Sequence, residues 1–96
     1  MTPARFDRCE IRRSPNQLGC EVGDERVVLQ TKSGQYLGMN PVGAFIWDLL
    51  ATPRKSSELV QEVVARYDVA PATAQADVDA FIADLSTAGL IEVQDL

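Results

Sequence analysis

The sequence predicts an α+β fold in which a three-stranded antiparallel sheet is followed by three helices. In the first third of the chain, apolar residues alternate with polar or glycine residues, which is the period-2 pattern of half-buried strands. After residue 40, apolar residues recur at helical spacing instead. Because 96 residues with 46% hydrophobic content suit one compact domain, residues 1–96 are predicted to form a single domain, with residues 1–7 as a flexible arm.

Three strands are predicted before residue 40. Leu18 to Val22 alternates cleanly, and a Gly-Asp turn leads into Arg26 to Thr31. A Ser-Gly turn then precedes the third strand, Gln35 to Met39. Short additional strands are possible around Ile11 and over residues 90–93. The central prediction is therefore a three-stranded meander.

Three helices are predicted after the meander. The first helix is predicted to begin at Asn40, a preferred N-cap, and Pro41, a preferred first helical residue. A serine at 56 or 57 is expected to cap the second helix. The third helix is predicted to begin at Pro71 and to end at Gly89. Trp47 is assigned to the core. The apolar residues at helical spacing are Phe45, Ile46, Leu49, Leu50, Leu59, Val60, Val63, Val64, Tyr67, Ala74, Val78, Phe81 and Leu85.

Charge is distributed unevenly along the chain. The formal net charge is −5, residues 1–66 carry nine basic and eight acidic side chains, and residues 67–96 carry six acidic and none basic. Phosphate binding needs Lys and Arg, so the sequence disfavours a transcription regulator and predicts no nucleic-acid partner. The sequence has no 18-residue apolar run and no signal peptide, so a cytoplasmic chain without a membrane partner is expected.

Catalysis has little support in the sequence. The chain has no His, and neither Cys9 nor Cys20 stands in a recognisable nucleophile motif. Two cysteines are too few for a disulfide framework or a zinc site, so reduced thiols are the simplest interpretation and a redox pair a weaker one. The sequence therefore predicts neither an enzyme nor a cofactor or metal. An accessory subunit that completes a partner enzyme remains an alternative.

Four segments carry a resemblance to a known family. They are 34–47 (GQYLGMNPVGAFIW), 59–67, 77–82 with Leu85, and 89–91. In these segments the chain resembles the PqqD family of leader-peptide-binding domains, and it is most similar to the discrete leader-binding proteins of lasso-peptide biosynthesis. The resemblance implies a winged helix-turn-helix in which a precursor's leader peptide pairs with the third strand beside the third helix. It also implies delivery of that peptide to a modifying or leader-cleaving enzyme.

Strand addition is also physically reasonable, because the backbone N–H and C=O groups along one edge of the last strand of a meander have no partner strand. On the third helix, the apolar stripe predicts a buried Phe81 and places Ile82 on a flank that could wall a groove. Asp77 and Asp84 lie on the opposite flank, and the pattern does not decide which flank faces the strand. The alternative is that the arm or residues 90–93 cover the edge. The predicted peptide-binding residues are Gln35, Tyr36, Leu37, Gly38, Met39, Gln75, Val78, Asp79, Ile82 and Ser86.

Overall fold

The computed structural model describes residues 9–23 and 25–95, so the arm predicted over residues 1–7 lies outside the described residues. The α+β fold is confirmed. Three helices follow the meander as predicted, and the structure adds short strands before, between and after them. In chain order the elements are β1 (Cys9–Arg13), β2 (Gln17–Val22), β3 (Glu25–Gln30), β4 (Tyr36–Met39), α1 (Pro41–Leu49), β5 (Arg54–Lys55), α2 (Ser56–Tyr67), α3 (Pro71–Thr87) and β6 (Ile91–Asp95).

The strands form two antiparallel sheets of three strands each. The predicted meander is the β2–β3–β4 sheet, with Val28 paired to Leu37 at its centre. The second sheet has the order β5–β1–β6, in which β1 pairs with the distant β6. The strands considered around Ile11 and over 90–93 are therefore present as β1 and β6. No pattern in the sequence predicted the two-residue β5, which lies immediately before α2.

The first helix begins as its sequence predicts. The backbone N–H of Gly43 donates to Oδ1 of Asn40 at 2.7 Å, and Pro41 occupies the first helical turn, where no donor is needed. The second helix begins differently. Lys55 is its N-cap residue, and the Lys55 backbone N–H donates to Oε1 of Glu58 at 3.0 Å. The predicted serine cap is wrong, because Ser56 is already helical and its hydroxyl is buried.

Gly89 ends α3 as predicted. Its φ of 73° lies in the left-handed region that glycine enters without strain. The Gly89 N–H donates to the Ser86 carbonyl at 3.1 Å and the Leu90 N–H to the Leu85 carbonyl at 2.9 Å, which is the Schellman pattern. Leu85 and Leu90 are both fully buried. After the end of α3 the chain therefore turns toward the core and continues directly into β6.

The core lies between the helices and the inner faces of the two sheets. Trp47 is 3% exposed, which confirms its assignment to the core. On α3 the buried residues are Ala74, Val78, Ile82 and Leu85. The predicted roles of Phe81 and Ile82 are therefore reversed, since Ile82 is fully buried and Phe81 only partly. Phe81 lies at the side of the stripe, where it packs against Gly43 of α1.

Candidate functional site

The free edge of β4 is the first part of the candidate site. In the described residues β4 pairs with β3 alone, and β6 pairs with β1, so the terminal strand does not cover β4. The Gln30 N–H donates to the Gln35 carbonyl at 2.7 Å. Because antiparallel residues alternate in the direction of their backbone groups, Leu37 and Met39 also point toward β3. The outward N–H and C=O groups therefore belong to Tyr36 and Gly38.

The side chains of β4 differ in accessibility on the two faces of the sheet. Met39 is buried in the core and Leu37 packs against it. Tyr36 is 73% exposed, and a Cβ atom added at Gly38 would meet nothing within 4 Å. Gln35 is exposed and lies just before the strand. An approaching chain would therefore find open space beside the two outward-facing backbone positions.

Two contacts connect the segment that contains β4 to α3 and its C-terminal end. At one end, the side chain of Phe81 meets Gly43, three residues after the N-cap of α1. At the other end, Nε2 of Gln30 donates to the Gly89 carbonyl at 3.1 Å. The two ends of the segment that contains β4, Gln30 and Gly43, therefore lie close to residues 89 and 81.

A cavity of about 320 Å³ opens between the start of α1 and α3. A second one, of about 580 Å³, adjoins the end of β4 and shares Asn40 with the first. The first is lined by Asn40, Val42, Gly43, Ile46, Asp77, Ala80, Phe81 and Asp84, and the second by Glu25, Arg26, Gly38, Met39, Asn40, Pro41 and Ala44. The two cavities meet at Asn40, one extending toward Gly38 and the other along α3, and we call them together the α3 groove.

The α3 groove lies on the helix flank opposite the predicted Gln75, Asp79 and Ser86. Asp77 and Asp84 are exposed and line it, beside the partly buried ring of Phe81. The predicted Gln75, Asp79 and Ser86 line neither cavity, and Nε2 of Gln75 donates to Oδ1 of Asp79 at 3.0 Å on the other flank. The choice between the flanks depends on how the helix is rotated against α1, and the position of Phe81 opposite Gly43 fixes that rotation.

The predicted residues Val78 and Ile82 lie beneath the surface. Both side chains are fully buried in the core. The prediction that Ile82 lies at the rim is therefore wrong, because α3 turns residues 74, 78, 82 and 85 inward as one ridge. Peptide contact by any of the ten predicted residues stays a prediction. The structure brings Gly38 and Met39 to the groove and leaves the predicted helix residues outside it or below it.

Charged side chains fix the corner where the sheet meets α1. Arg26 on β3 donates from Nη1 and Nη2 to the two carboxylate oxygens of Asp48 on α1, at 2.7 and 3.0 Å. The hydrogen bonds from Arg26 lower the pKa of Asp48 below its ordinary value. Arg13 on β1 adds a second link, because its guanidinium lies over the Trp47 ring and its Nη2 donates to the Trp47 carbonyl. Arg26 thus links the sheet that carries β4 to α1, and Arg13 links the second sheet to the same helix.

The described residues hold no group of three or more His, Cys, Asp or Glu side chains placed to bind a metal ion. Cys9 and Cys20 are both free and lie in different sheets, the first buried and the second exposed. Burial and a hydrogen bond to Asp95 raise the pKa of the Cys9 thiol, which is the opposite of thiolate activation. Across residues 9–23 and 25–95, none of the helices is long and apolar enough to cross a membrane.

The family comparison identifies the chain. The family model for coenzyme PQQ synthesis protein D (PqqD) matches residues 25–91, from the start of β3 to the start of β6. The chain belongs to the PqqD family. The match contains β4, α1 and α3, and therefore all the elements that form the edge and the α3 groove of this PqqD-family chain. No curated protein sequence matches it closely enough to count as a relative.

Solved structures agree with this family. TbiB1, in complex with the TbiA(beta) leader peptide, is 31% identical, with a TM-score of 0.76 over 84% of this chain and 94% of that chain. A lasso peptide synthetase B1 complexed with the leader peptide is 23% identical, with a TM-score of 0.73 over 85% and 96% of the two chains.

A third structure extends the comparison to PqqD itself. The PqqD truncation of Methylobacterium extorquens PqqCD, which represents a RiPP recognition element, is 18% identical, with a TM-score of 0.70 over 86% of this chain and 88% of that chain. At these lower identities the second and third structures show the fold alone.

Proposed function

We propose that this chain binds the leader region of a ribosomally synthesised precursor peptide by adding it as a strand to β4, beside the α3 groove. The observation that carries the proposal is the unpaired β4 edge, whose outward backbone groups belong to Tyr36 and Gly38 and which reaches the groove at Gly38. A peptide strand would satisfy those groups, and pockets beside it would read alternate side chains. The leader peptide bound by the similar TbiB1 supports this choice of ligand.

The groove favours a leader with apolar and basic side chains. Phe81 and Val42 offer apolar surface in the first cavity, and Asp77 and Asp84 place two exposed carboxylates along its side. Opposite charge speeds encounter and fixes register more than it raises affinity. We therefore expect apolar anchors to supply most of the binding free energy, with a dissociation constant between submicromolar and micromolar, which corresponds to roughly −8 kcal/mol.

The chain acts in this proposal as a non-catalytic module. It holds the precursor and raises the effective concentration of the peptide near a modifying enzyme or a lasso-peptide leader protease. It works in the cytoplasm, and residues 1–96 form one recognition domain. Nucleic acid is not a partner, because the sequence after residue 66 contains no basic side chain and two acidic ones line the groove. A gel shift that survives physiological salt would favour a transcription regulator instead.

Two variants at Gly38 test strand addition. Gly38→Pro removes an outward N–H that β3 does not use, and its ring obstructs an added strand. Gly38→Ala is the matched control, because its Cβ enters open space. We expect Gly38→Pro to weaken binding of a labelled leader peptide at least tenfold in fluorescence anisotropy, and Gly38→Ala to bind like the wild type. Equal affinities for all three proteins, with unchanged melting temperatures, would place the leader elsewhere. Leu37→Pro is unsuitable, since the N–H of Leu37 points to β3.

A further inference from the structure

The β2–β3–β4 sheet has a second free edge, on β2. Within the described residues β2 pairs with β3 alone. The Asn16 carbonyl accepts from the Thr31 N–H at 3.0 Å, so the backbone groups of Asn16 and of every second residue after it point toward β3. The outward N–H and C=O groups of β2 therefore belong to Gln17, Gly19 and Glu21.

A cavity of about 460 Å³, which we call the β2 cleft, opens on the inner side of this edge. Gly19 is paired with the buried Val28, so its Cα faces the inner side of the sheet. A Cβ atom added at Gly19 would nevertheless meet nothing within 4 Å, because the helices do not cover β2. Besides β2 itself, the cleft is lined by Arg13 of β1, Arg26 and Val28 of β3, and Trp47 and Asp48 of α1.

Arg13 brings a positive charge to the β2 cleft that no described carboxylate neutralises. No described carboxylate oxygen lies within 4.0 Å of its guanidinium nitrogens. Its Nη2 donates to the Trp47 carbonyl, while its Nε is buried and has no acceptor among the described residues. Asp48 also lines the cleft, but both of its carboxylate oxygens accept from Arg26. Burial lowers the pKa of Arg13 below its ordinary value, as expected for a guanidinium that has lost part of its hydration.

We propose that the β2 edge binds an extended acidic peptide segment as an additional strand, and that a carboxylate of this segment pairs with Arg13 in the β2 cleft. The site is separate from the leader edge, since β3 lies between β2 and β4. An added strand satisfies the three outward backbone positions, and every second side chain of it projects into the cleft. A carboxylate there compensates the half-buried guanidinium, which a free edge alone does not require.

The charges along β2 restrict where the acidic residue of the peptide lies. Glu21 interacts with Arg26 at 3.5 Å near the end of the strand, and an acidic side chain directly opposite Glu21 would meet a like charge. Gly19 offers open space instead, and Gln17 is neutral and only four positions after Arg13 in the chain. We therefore expect the acidic residue to lie opposite Gly19 or Gln17, with a neutral residue opposite Glu21.

The test titrates the full chain with three probes and follows the backbone amide signals by NMR. The first probe is a blocked hexapeptide of alternating threonine and valine in which one central threonine is replaced by glutamate. The second carries glutamine at that position, and the third is free glutarate. We expect the glutamate peptide to shift the amide signals of Gln17, Gly19 and Glu21 and to bind about fivefold more tightly than the glutamine peptide.

Variants at positions 13 and 19 separate the contribution of the carboxylate from that of the strand. Arg13→Gln should reduce the preference for the glutamate peptide to less than about twofold. Gly19→Pro removes an outward N–H that β3 does not use and should weaken binding of both peptides. Gly19→Ala is the matched control, because its Cβ enters open space. Melting temperatures are measured for every variant, and the Gly19 pair still tests the proposal if Arg13→Gln is unstable through loss of its contact with Trp47.

The inference would be overturned if the glutamate peptide caused no shifts at millimolar concentration, or if the two peptides bound the wild type equally well. Shifts at Tyr36 and Gly38 alone would place the peptide on β4 instead. Glutarate that shifts the β2 amides as strongly as the peptide would reduce the site to one for free acids. A dimer in sedimentation velocity that Gly19→Pro abolishes would show that a second copy occupies the edge. Leader binding is measured separately by anisotropy, and its failure would remove the proposed function alone.

Discussion

A Cβ atom on Gly43 would lie 3.0 Å from Cε1 of Phe81, so α1 approaches α3 closely only because residue 43 has no side chain. The same Cβ would lie 3.3 Å from Oδ1 of Asn40, the side chain that caps α1. Real Cβ atoms rarely have neighbours this close. The end of the α3 groove is therefore set by a glycine inside a helix, where glycine is otherwise unfavourable.

Gly43→Ala should reveal this contact in a double-mutant cycle with Phe81→Ala. In the wild-type background the added methyl should cost about 1 kcal/mol net, because overpacking by ~1–3 kcal/mol exceeds the helical gain of ~1 kcal/mol. In the Phe81→Ala background it should stabilise the protein by about 0.5–1 kcal/mol. Urea unfolding measures both values. An equal cost in the two backgrounds would mean that Phe81 does not restrict residue 43.

Truncations at positions 81 and 82 should separate the groove from the core. Ile82→Ala should lower the free energy of unfolding by about 2–5 kcal/mol, because the side chain is fully buried. Phe81→Ala should cost less than the ~3–5 kcal/mol of a buried aromatic, yet weaken leader binding, because the ring lines the groove. Thermal melts and anisotropy on the same samples provide the comparison. A larger loss of stability at position 81 than at 82 would contradict the packing described.

Charge neutralisation on the two flanks of α3 should show which flank faces the peptide. Asp77→Asn/Asp84→Asn should weaken binding of a leader with basic residues by about threefold at low salt, since exposed charge pairs contribute ~0.2–1 kcal/mol each. Asp79→Asn, on the opposite flank, is the control and should leave the affinity unchanged. The difference should shrink as salt is added. A stronger effect at Asp79 would restore the flank that sequence reasoning chose.

The ion pair between Arg26 and Asp48 should make the stability of the folded protein depend on pH in the acidic range. The folded-state pKa of Asp48 lies below its ordinary value of 3.8. A carboxylate with a depressed pKa stabilises the fold above its unfolded pKa, and this contribution disappears as the pH falls through the folded pKa. Asp48→Asn should therefore lower the melting temperature slightly at pH 7, and the difference should vanish in strong acid. A constant difference from pH 7 down to pH 2 would rule out the ionic contribution.

Local signals in the sequence predicted most of the secondary structure. The Asn40-Pro41 start of α1, the Gly89 stop of α3 and the period-2 strands of the meander all depend on neighbouring residues, and all three are present. The N-cap residue of α2 was predicted wrongly. Ser56 directly follows β5, which pairs with the distant β1, and Ser56 is therefore buried. Pairing between distant segments leaves no periodic signal near residue 56.

The candidate site was predicted only on its strand side. The β4 edge follows from the order of strands in a meander, so its location could be read from the sequence. The rotation of α3 could not, since Ala74, Val78, Phe81 and Leu85 fit a helical stripe about as well as the observed set with Ile82. The two sets are distinguished by the close approach of Phe81 to Gly43, which has no side chain. These two residues are 38 positions apart in the chain. The presence of a glycine within α1, at position 43, and of an aromatic residue on α3, at position 81, was the one sequence signal for this packing.

Gln30 joins the turn before β4 to the end of α3 through one planar amide. Its Oε1 accepts from the backbone N–H groups of Lys32 and Ser33 at 2.6 and 3.2 Å, while its Nε2 donates to the Gly89 carbonyl. A β3–β4 hairpin grafted from a relative would bring its own residue at position 30, so it would need a helix terminus whose carbonyl group that residue can reach. If the proposed function holds, a change of leader specificity should therefore require the hairpin and the end of α3 to be exchanged together.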